Sequence, residues 1–473
     1  MLFNSYEFIF FFLPIVFIVY FYLNSKRLII GGRVWLIISS LFFYSYWNPV
    51  YLPLILFSIG FNFIIGLLMT RLKNSKQPLF HINISEKQLL ILSITCNLAL
   101  LGYFKYMNFF INNINLVFDA GIHPQNIILP LAISFFTFNQ ITYIVDIYKC
   151  KTESYDLLRY ALFVTFFPHL IAGPLVHYKE MMPQFSSTYN LTKNYRNIAL
   201  GLTLFSIGLF KKVIIADTLA VWASNGFDKA EVLNFFEAWV TSISYTFQIY
   251  FDFSGYTDMA LGSSLIFNIK LPINFNSPYK AANIRDFWQR WHMTLSRFLK
   301  EYIYIPLGGN RGSKYRMYFN LLVTFLLGGI WHGASWMFIL WGGLHGIAII
   351  IHRIWSGFNL RLNHILGWII TFNFINISWI FFRAKNEHDA FKVISGMFNI
   401  NKIIMPHFLS TDGSLITIIF ISLAYILVLY FKNSNSLILQ ISPKLKYSLI
   451  TSILLIISII NLTTKSEFLY FNF

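Results

Sequence analysis

Charged residues are scarce in this sequence. Asp, Glu, Lys and Arg make up 12% of the 473 residues, whereas 56% are hydrophobic. A soluble domain carries roughly 25% charged residues, so the balance excludes an ordinary cytosolic protein. Intrinsic disorder is excluded as well, because disordered chains are rich in charge and poor in aromatic residues. The composition favours an all-α, polytopic integral membrane protein.

Acidic residues and cysteines are scarcer still. Only 19 Asp and Glu stand against 36 Lys and Arg, which leaves a net charge of +17. In a soluble protein such a surplus suggests nucleic acid. Here it lies in short connections between apolar runs, so we expect contact with membrane lipids and no nucleic-acid partner. The two cysteines, Cys96 and Cys150, lack metal-ligand spacing; we expect free thiols and no metal site.

Long apolar runs dominate the rest of the chain. A spanning helix needs about 20 mostly apolar residues. The candidate spans are 7–24, 31–47, 51–70, 89–108, 127–147, 157–175, 198–222, 235–256, 318–333, 335–353, 366–383, 414–431 and 447–462. Two regions, 157–175 and 318–353, contain proline, glycine pairs and polar groups, which is typical of re-entrant segments that line a cavity. We predict about 11–12 transmembrane helices with re-entrant and amphipathic helices, in a single domain over 1–473.

The positions of Lys and Arg predict the topology. Residues 1–6 contain neither, whereas the connection after the first span and the loop 432–446 each hold three. The positive-inside rule places both connections in the cytoplasm and therefore both termini outside. Such an arrangement requires an even number of crossings, and about twelve fits.

Residues 268–316 differ from the membrane-like remainder, because they carry nine Lys and Arg. Within this basic, cytoplasmic-side segment, residues 283–304 have helical spacing and predict an amphipathic helix at the inner surface. A lipid-facing helix with snorkelling cations explains the pattern. The other explanation is a phosphate-binding surface for an acyl donor, formed by Arg285, Arg290 and Arg297, since arginine can bind phosphate through two hydrogen bonds.

Two histidines in apolar surroundings are the main candidates for chemistry. His332 stands in Trp331-His332-Gly333 inside an apolar run, where an imidazole is costly unless it faces a cavity or has a partner. Neighbouring glycines would allow the backbone to approach a ligand closely. His292 follows Trp291 in the basic segment. For each ring, a satisfied histidine of the protein core is the alternative.

Two carboxylates, Asp252 and Asp258, lie in a strongly aromatic run. Acids this deep in an apolar segment need partners. Ion pairing to the basic segment that follows is the favoured interpretation. A proton-relay or cation-binding role is the alternative.

Seven segments together carry a resemblance to a known family. They are residues 1–5, 133–138, 167–174, 252–258, 285–297, 305–312 and 331–333. In this order they resemble the membrane-bound O-acyltransferases, and within that family the membrane subunits of bacterial alginate and peptidoglycan O-acetyltransferases. The resemblance implies an enzyme of the bacterial inner membrane, with a central tunnel, that takes acetyl from cytoplasmic acetyl-CoA and delivers it outside.

The resemblance also implies roles for individual residues. His332 would be catalytic, as a base or as a hydrogen-bonding group only, and His292 would be a second important polar position. The aromatic tail, residues 463–473, contains Tyr470, which would carry the acetyl group before an extracytoplasmic esterase-like partner takes it. Arg285, Arg290 and Arg297 would contact the donor phosphates. Acetyl-CoA would be a substrate, with no permanently bound cofactor.

Three other functions remain open from the sequence. One keeps the chemistry and changes the glycan from peptidoglycan, the favoured acceptor, to alginate or another exopolysaccharide. The second is D-alanyl transfer from a carrier protein to teichoic acid. The third, from a different class, is a polytopic transporter, because broken helices around a polar midplane site are typical of transporters.

Overall fold

The computed structural model describes residues 1–75, 84–149, 156–358, 360, 362–399, 413–441, 444–462 and 469. All regular structure within these ranges is helical, which confirms the predicted all-α class. Cys96 is an exposed free thiol, and Cys150 lies outside the described residues.

The helices differ in length from four residues to 35. In chain order they are α1 (Glu7–Ser25), α2 (Ile29–Ser45), α3 (Leu52–Ser75), α4 (Glu86–Phe118), α5 (Ile133–Tyr148), α6 (Leu157–Thr165), α7 (Phe167–Leu170), α8 (Tyr178–Ser186), α9 (Tyr195–Lys229), α10 (Phe235–Ile266), α11 (Ile284–Arg290), α12 (Met293–Leu299), α13 (Lys314–His332), α14 (Trp336–Gly357), α15 (His364–Arg383), α16 (Glu387–Phe398), α17 (Gly413–Tyr430), α18 (Ser434–Ile438) and α19 (Leu445–Ile460). Short 3₁₀ turns occupy Pro49–Tyr51, Thr188–Leu191 and Pro278–Lys280.

Six of these helices are long and apolar enough to cross a bilayer: α1, α4, α9, α14, α15 and the segment Pro49–Asn74 around α3. Three shorter apolar helices are Ile29–Ser45, Ile416–Tyr430 and Leu445–Ile460. The polytopic membrane architecture is therefore confirmed. The total of 11–12 crossings and the outside position of both termini stay predictions.

The spans 127–147 and 157–175 are among the predicted spans that differ from the helices that form. The span 127–147 begins later, at Ile133, because Pro130 precedes it and Ala132 adopts a left-handed conformation with φ of 61°. The region 157–175 is broken, as expected: α6 ends where Phe166 becomes extended, with ψ of 109°, and only the short α7 follows.

Contacts within the chain define two compact units. The first comprises Met1–Phe205 with Met259–Pro272, and the second comprises Ser206–Asp258 with Ile273–Phe473. The single-domain organisation over 1–473 stays a prediction.

A buried polar network joins three helices of the first unit. Asn62 on α3 accepts hydrogen bonds from Ser93 and Asn97 on α4, at 2.9 and 2.7 Å, and its amide nitrogen donates to Gln140 on α5. In apolar surroundings such amide contacts join helices, because an unpaired polar group there would be costly.

A tight helical hairpin organises the second unit. α13 ends at His332, the chain is extended at Gly333, and Ser335 begins α14 by accepting the Met337 N–H at 3.2 Å. The two helices pack so closely that a Cβ on Gly342 would lie 2.5 Å from the Phe325 carbonyl oxygen. Small residues at a helix contact permit this approach.

The hairpin yields a prediction on stability. Gly342→Ala should lower the free energy of unfolding by about 1–3 kcal/mol, because a methyl group there overlaps backbone. Gly343→Ala is the matched control, since its Cβ would meet only a Leu326 methyl at 3.7 Å. Thermal melting in detergent should show a lower Tm for the first variant only, and equal Tm values for both would contradict the close packing.

Candidate active site

His332 occupies the last position of α13, at the tip of the hairpin, and is 2% exposed. Its ring lies against three aromatic side chains, with centroid distances of 4.8 Å to Trp331, 5.1 Å to Trp341 and 5.0 Å to Phe382. These rings fix the orientation of the imidazole and exclude bulk water. The C-terminal end of a helix carries partial negative charge, which stabilises an imidazolium formed there by proton uptake.

His292 does not lie within the single amphipathic helix predicted for 283–304, and that prediction was wrong. The chain breaks between α11 and α12, where Trp291 is extended and His292 is left-handed, with φ of 41°. The break is supported by backbone pairing, because the Met293 N–H donates to the Asn274 carbonyl at 3.0 Å. A non-glycine residue held in this conformation is strained, and such strain clusters at functional sites.

The apolar stripe of the same segment packs against protein. Phe287, Trp291, Leu295 and Phe298 are all buried, and the Trp291 ring lies 4.9 Å from that of Trp379. The apolar stripe therefore faces protein and not lipid, whereas an interfacial position with snorkelling cations stays a prediction. Helical periodicity located the apolar face of this segment correctly. It does not distinguish a face covered by lipid from one covered by the aromatic rings of α14 and α15.

The imidazole of His292 is buried and has a defined hydrogen-bond partner. Its Nδ1 lies 3.3 Å from the Asn274 Oδ1, which also accepts from the Thr294 hydroxyl at 2.7 Å. Since a carbonyl oxygen can only accept, Nδ1 carries the proton and Nε2 holds the lone pair. Burial lowers the pKa of His292 to about 3, so the ring is neutral at physiological pH.

The structure brings the two predicted histidines together. The His292 ring lies 6.2 Å from Trp331, whose indole is in turn 4.8 Å from His332. On its other side His292 packs against Phe253 of α10 at 4.9 Å. Residues forty positions apart in sequence thus form one cluster, which we call the histidine pair.

Two N–H donors beside the histidine pair have no hydrogen-bond partner among the described residues. They are the Nδ2 of Asn274 and the indole Nε1 of Trp341, and both are buried. Buried N–H groups without partners are rare. Donors fixed in a water-poor site are suited to a carbonyl oxygen that becomes negatively charged during reaction.

His345 is another buried histidine, and both of its ring nitrogens have hydrogen-bond partners. Its Nδ1 accepts from the indole N–H of Trp288 at 3.1 Å, so Nε2 carries the proton and donates to the Ser378 hydroxyl at 3.1 Å. The Ser378 hydroxyl in turn donates a hydrogen bond to the Ile375 carbonyl at 2.8 Å. This ring is therefore a structural member of the bundle.

Asp252 and Asp258 form ion pairs, as favoured, but with different partners from those expected. The cations come from Lys211 and Lys212 on α9 and not from the basic segment: Lys211 Nζ lies 2.7 Å from Asp258, and Lys212 Nζ lies 2.6 Å from Asp252. Two adjacent lysines in the apolar run 198–222 were the sequence signal for this pairing, and the prediction overlooked them.

The Asp252 carboxylate has a second contact, with the C-terminal tail. Its Oδ2 accepts the backbone N–H of Leu469 at 3.0 Å. Tyr470 itself lies outside the described residues, as does the rest of 463–473 apart from Leu469.

The three predicted phosphate-binding arginines have different environments. Arg285 is exposed, and Arg297 is half-buried. Arg290 already forms an ion pair, with its Nε 2.7 Å from the Asp286 carboxylate, and this pair competes with any phosphate. No group of three metal-binding side chains occurs in the ranges described above.

Cavities of appreciable volume lie elsewhere in the described structure. One of about 470 Å³ is lined mostly by apolar residues of α1 and α2. Another, of about 180 Å³, lies in the second unit and is bordered by Lys211, Asn433 and Ser434. The histidine pair lines neither, and the central tunnel stays a prediction.

Known proteins resemble this chain over most of its length. The sequence model of the membrane-bound O-acyltransferase family matches residues 41–385, a stretch that contains the histidine pair. A peptidoglycan O-acetyltransferase of Helicobacter pylori is 48% identical, over 100% of this chain and 98% of the relative. A probable alginate O-acetylase of Pseudomonas aeruginosa is 40% identical over 84% and 75%. A teichoic acid D-alanyltransferase of Bacillus subtilis is 28% identical over 56% and 71%.

Proposed function

The chain belongs to the membrane-bound O-acyltransferase family and is a membrane O-acetyltransferase, and from that premise we propose that it transfers acetyl from cytoplasmic acetyl-CoA to Tyr470. An extracytoplasmic esterase-like partner then moves the acetyl group onto peptidoglycan. The main support is the histidine pair, in which His332 and His292 flank Trp331 in a buried site.

The proposed step is attack of the Tyr470 hydroxyl on the thioester carbonyl. A new C–O bond forms, the C–S bond breaks, and the phenol proton passes through His332 to the departing sulfur, so acetyl-tyrosine and free CoA result. A phenol has a pKa near 10, so it needs a base. His332 suits that role because the helix end stabilises its protonated form.

Other residues of the site stabilise and orient the reactants. The Nδ2 of Asn274 and the Nε1 of Trp341 donate hydrogen bonds to the carbonyl oxygen as its negative charge develops. His292 stays neutral, and its Nε2 lone pair orients a hydroxyl or an amide of a reactant. Arg285 and Arg297 contact the donor phosphates, and Arg290 joins them only by releasing Asp286.

Peptidoglycan is the acceptor glycan that we favour. The similarity to the Helicobacter pylori peptidoglycan O-acetyltransferase extends over the whole chain, including the C-terminal tail, whereas the similarity to the alginate and teichoic acid proteins covers less. The proposed location is the bacterial inner membrane, with both termini outside, so that the tail faces the compartment of the partner.

A labelling experiment tests this proposal. The purified protein is incubated with [¹⁴C-acetyl]-CoA and digested, and the peptides are separated. We expect label in the C-terminal peptide from [¹⁴C-acetyl]-CoA, and no label when carrier protein loaded with D-[¹⁴C]alanine replaces acetyl-CoA as the donor. Label absent from that peptide removes the tyrosine step, transfer from the carrier favours D-alanylation, and an absence of any thioester turnover favours a transporter.

A further inference from the structure

Asp252 lies at the centre of a buried charged cluster in the second unit. It is 1% exposed, and its Oδ1 lies 2.6 Å from Lys212 Nζ, which also donates to Asp217 at 2.9 Å. A buried carboxylate is stable only when paired and hydrogen-bonded. Lys212 therefore fixes both the charge and the orientation of the Asp252 side chain.

The second oxygen of Asp252 is directed at the C-terminal tail. Oδ2 accepts the Leu469 backbone N–H at 3.0 Å, across 217 positions of sequence. A hydrogen bond to an ionised acceptor in a buried site is about twice as strong as a neutral one. The contact uses the main chain, so it holds the backbone at position 469 whatever side chain that position carries.

This contact lies on the helix that supports the histidine pair. Phe253, the residue after Asp252, packs its ring 4.9 Å from that of His292. Leu469 is bonded directly to Tyr470, and consecutive Cα atoms are only about 3.8 Å apart. The hydrogen bond between Leu469 and Asp252 is therefore made by the residue that directly precedes the proposed acetyl acceptor.

We propose that Asp252 is a positioning residue that docks the C-terminal tail at Leu469, next in sequence to the acceptor tyrosine, and so supports acetyl transfer. The proposal rests on the proposed function for the role of Tyr470, but the docking itself does not depend on it. Lys212 orients the carboxylate, and the Leu469 N–H is the group that it captures.

The chain contains a matched control for this role. Asp258 lies on the same helix, is also buried, and pairs with the neighbouring Lys211 at 2.7 Å, which in turn contacts Ser434 at 3.1 Å. Each carboxylate thus pairs with one lysine of α9, and among the described residues Asp252 is the one of the two that contacts Leu469. A general effect of weakening a buried ion pair should appear equally in both.

Hydrogen–deuterium exchange of the full-length protein tests the docking. In Asp252→Asn the amide oxygen turns towards Lys212, which leaves the amide NH₂ facing the Leu469 N–H, so the tail loses its acceptor. We expect the C-terminal peptide to exchange about tenfold faster, the effect of losing a charged hydrogen bond. In Asp258→Asn that peptide should exchange as in the wild type.

A second pair of variants changes only the tail. Leu469→Pro removes the backbone N–H, whereas Leu469→Ala keeps it. Proline should therefore accelerate exchange of the tail and slow acetyl labelling of Tyr470 about tenfold, and alanine should do neither. Because these substitutions lie in the tail, they leave the bundle intact even where Asp252→Asn does not fold.

The outcomes separate the two proposals. Docking is supported if the tail exchanges faster in Asp252→Asn and in Leu469→Pro but not in the two control variants. This outcome does not depend on whether Tyr470 accepts acetyl. Unchanged exchange in both variants, or equal acceleration in Asp258→Asn, overturns the docking role. Wild-type protein that shows a protected tail but never labels Tyr470 contradicts only the proposed function.

Discussion

Replacement of His332 by alanine is expected to slow acetyl transfer from acetyl-CoA at least about hundredfold, since a positioned base contributes roughly 10²–10⁴-fold. The imidazole is the only group removed, and the rings of Trp331, Trp341 and Phe382 remain to hold the site. The measurement is the initial rate of label transfer by the purified variant and by the wild type at saturating acetyl-CoA.

His332→Gln distinguishes a base from an orienting group. Glutamine keeps a hydrogen-bonding amide but takes up no proton at neutral pH, so it should be as slow as alanine if His332 is the base. If the glutamine variant transfers acetyl at nearly the wild-type rate, His332 only orients a reactant. If the alanine variant also transfers acetyl at the wild-type rate, His332 takes no part in the chemistry. Thermal melting shows whether each variant keeps its fold.

Tyr470→Phe is expected to abolish acetyl transfer to the extracytoplasmic acceptor, because in the proposed mechanism the phenol oxygen is the atom that accepts acetyl. Phenylalanine keeps the aromatic ring, so the apolar character of the tail does not change. The C-terminal peptide should carry no label, and delivery to the partner should fall to the background rate. Peptide mapping after incubation with labelled acetyl-CoA measures the first effect, and label recovered in the glycan measures the second.

Tyr430→Phe is the matched control for this loss, since Tyr430 is an exposed tyrosine at the end of α17 and far along the chain from the tail. In the Tyr430→Phe variant, the C-terminal peptide should acquire label at the wild-type rate. A Tyr470→Phe protein that still delivers acetyl to the partner would mean that the acetyl group bypasses the tail.

The sequence alone predicted the helical class, which the structure confirms, and it singled out both histidines as candidates, whose roles stay predictions. A ring such as that of His332 stands out in an apolar run because its desolvation is costly, and the structure places it in a buried aromatic cluster. The neighbouring glycines were interpreted as space for a ligand. In the structure their space is used for packing: a Cβ on Gly333 would lie 2.1 Å from the Phe338 ring.

Contacts between segments that lie far apart in the chain could not be predicted from the sequence. The helix break at His292 depends on backbone pairing with Asn274, and helical periodicity alone runs through it without interruption. The partners of Asp252 and Asp258 were misassigned for the same reason, since the choice between two lysine-bearing segments is made by helix packing. The close approach of α9 and α10, where a Cβ on Gly255 would lie 2.7 Å from the Gly208 carbonyl oxygen, makes that choice.

The glycine contact in the helical hairpin also bears on how the enzyme turns over. Gly329 and Gly342 touch through main-chain atoms, and Gly329 lies one helical turn before His332. Side chains can change rotamer, but two backbones in contact cannot slide without separating. The imidazole is thus anchored to a helix contact that resists sliding. Under the proposed mechanism donor and acceptor approach a ring that does not move, so trapped complexes with either reactant should superpose at this position.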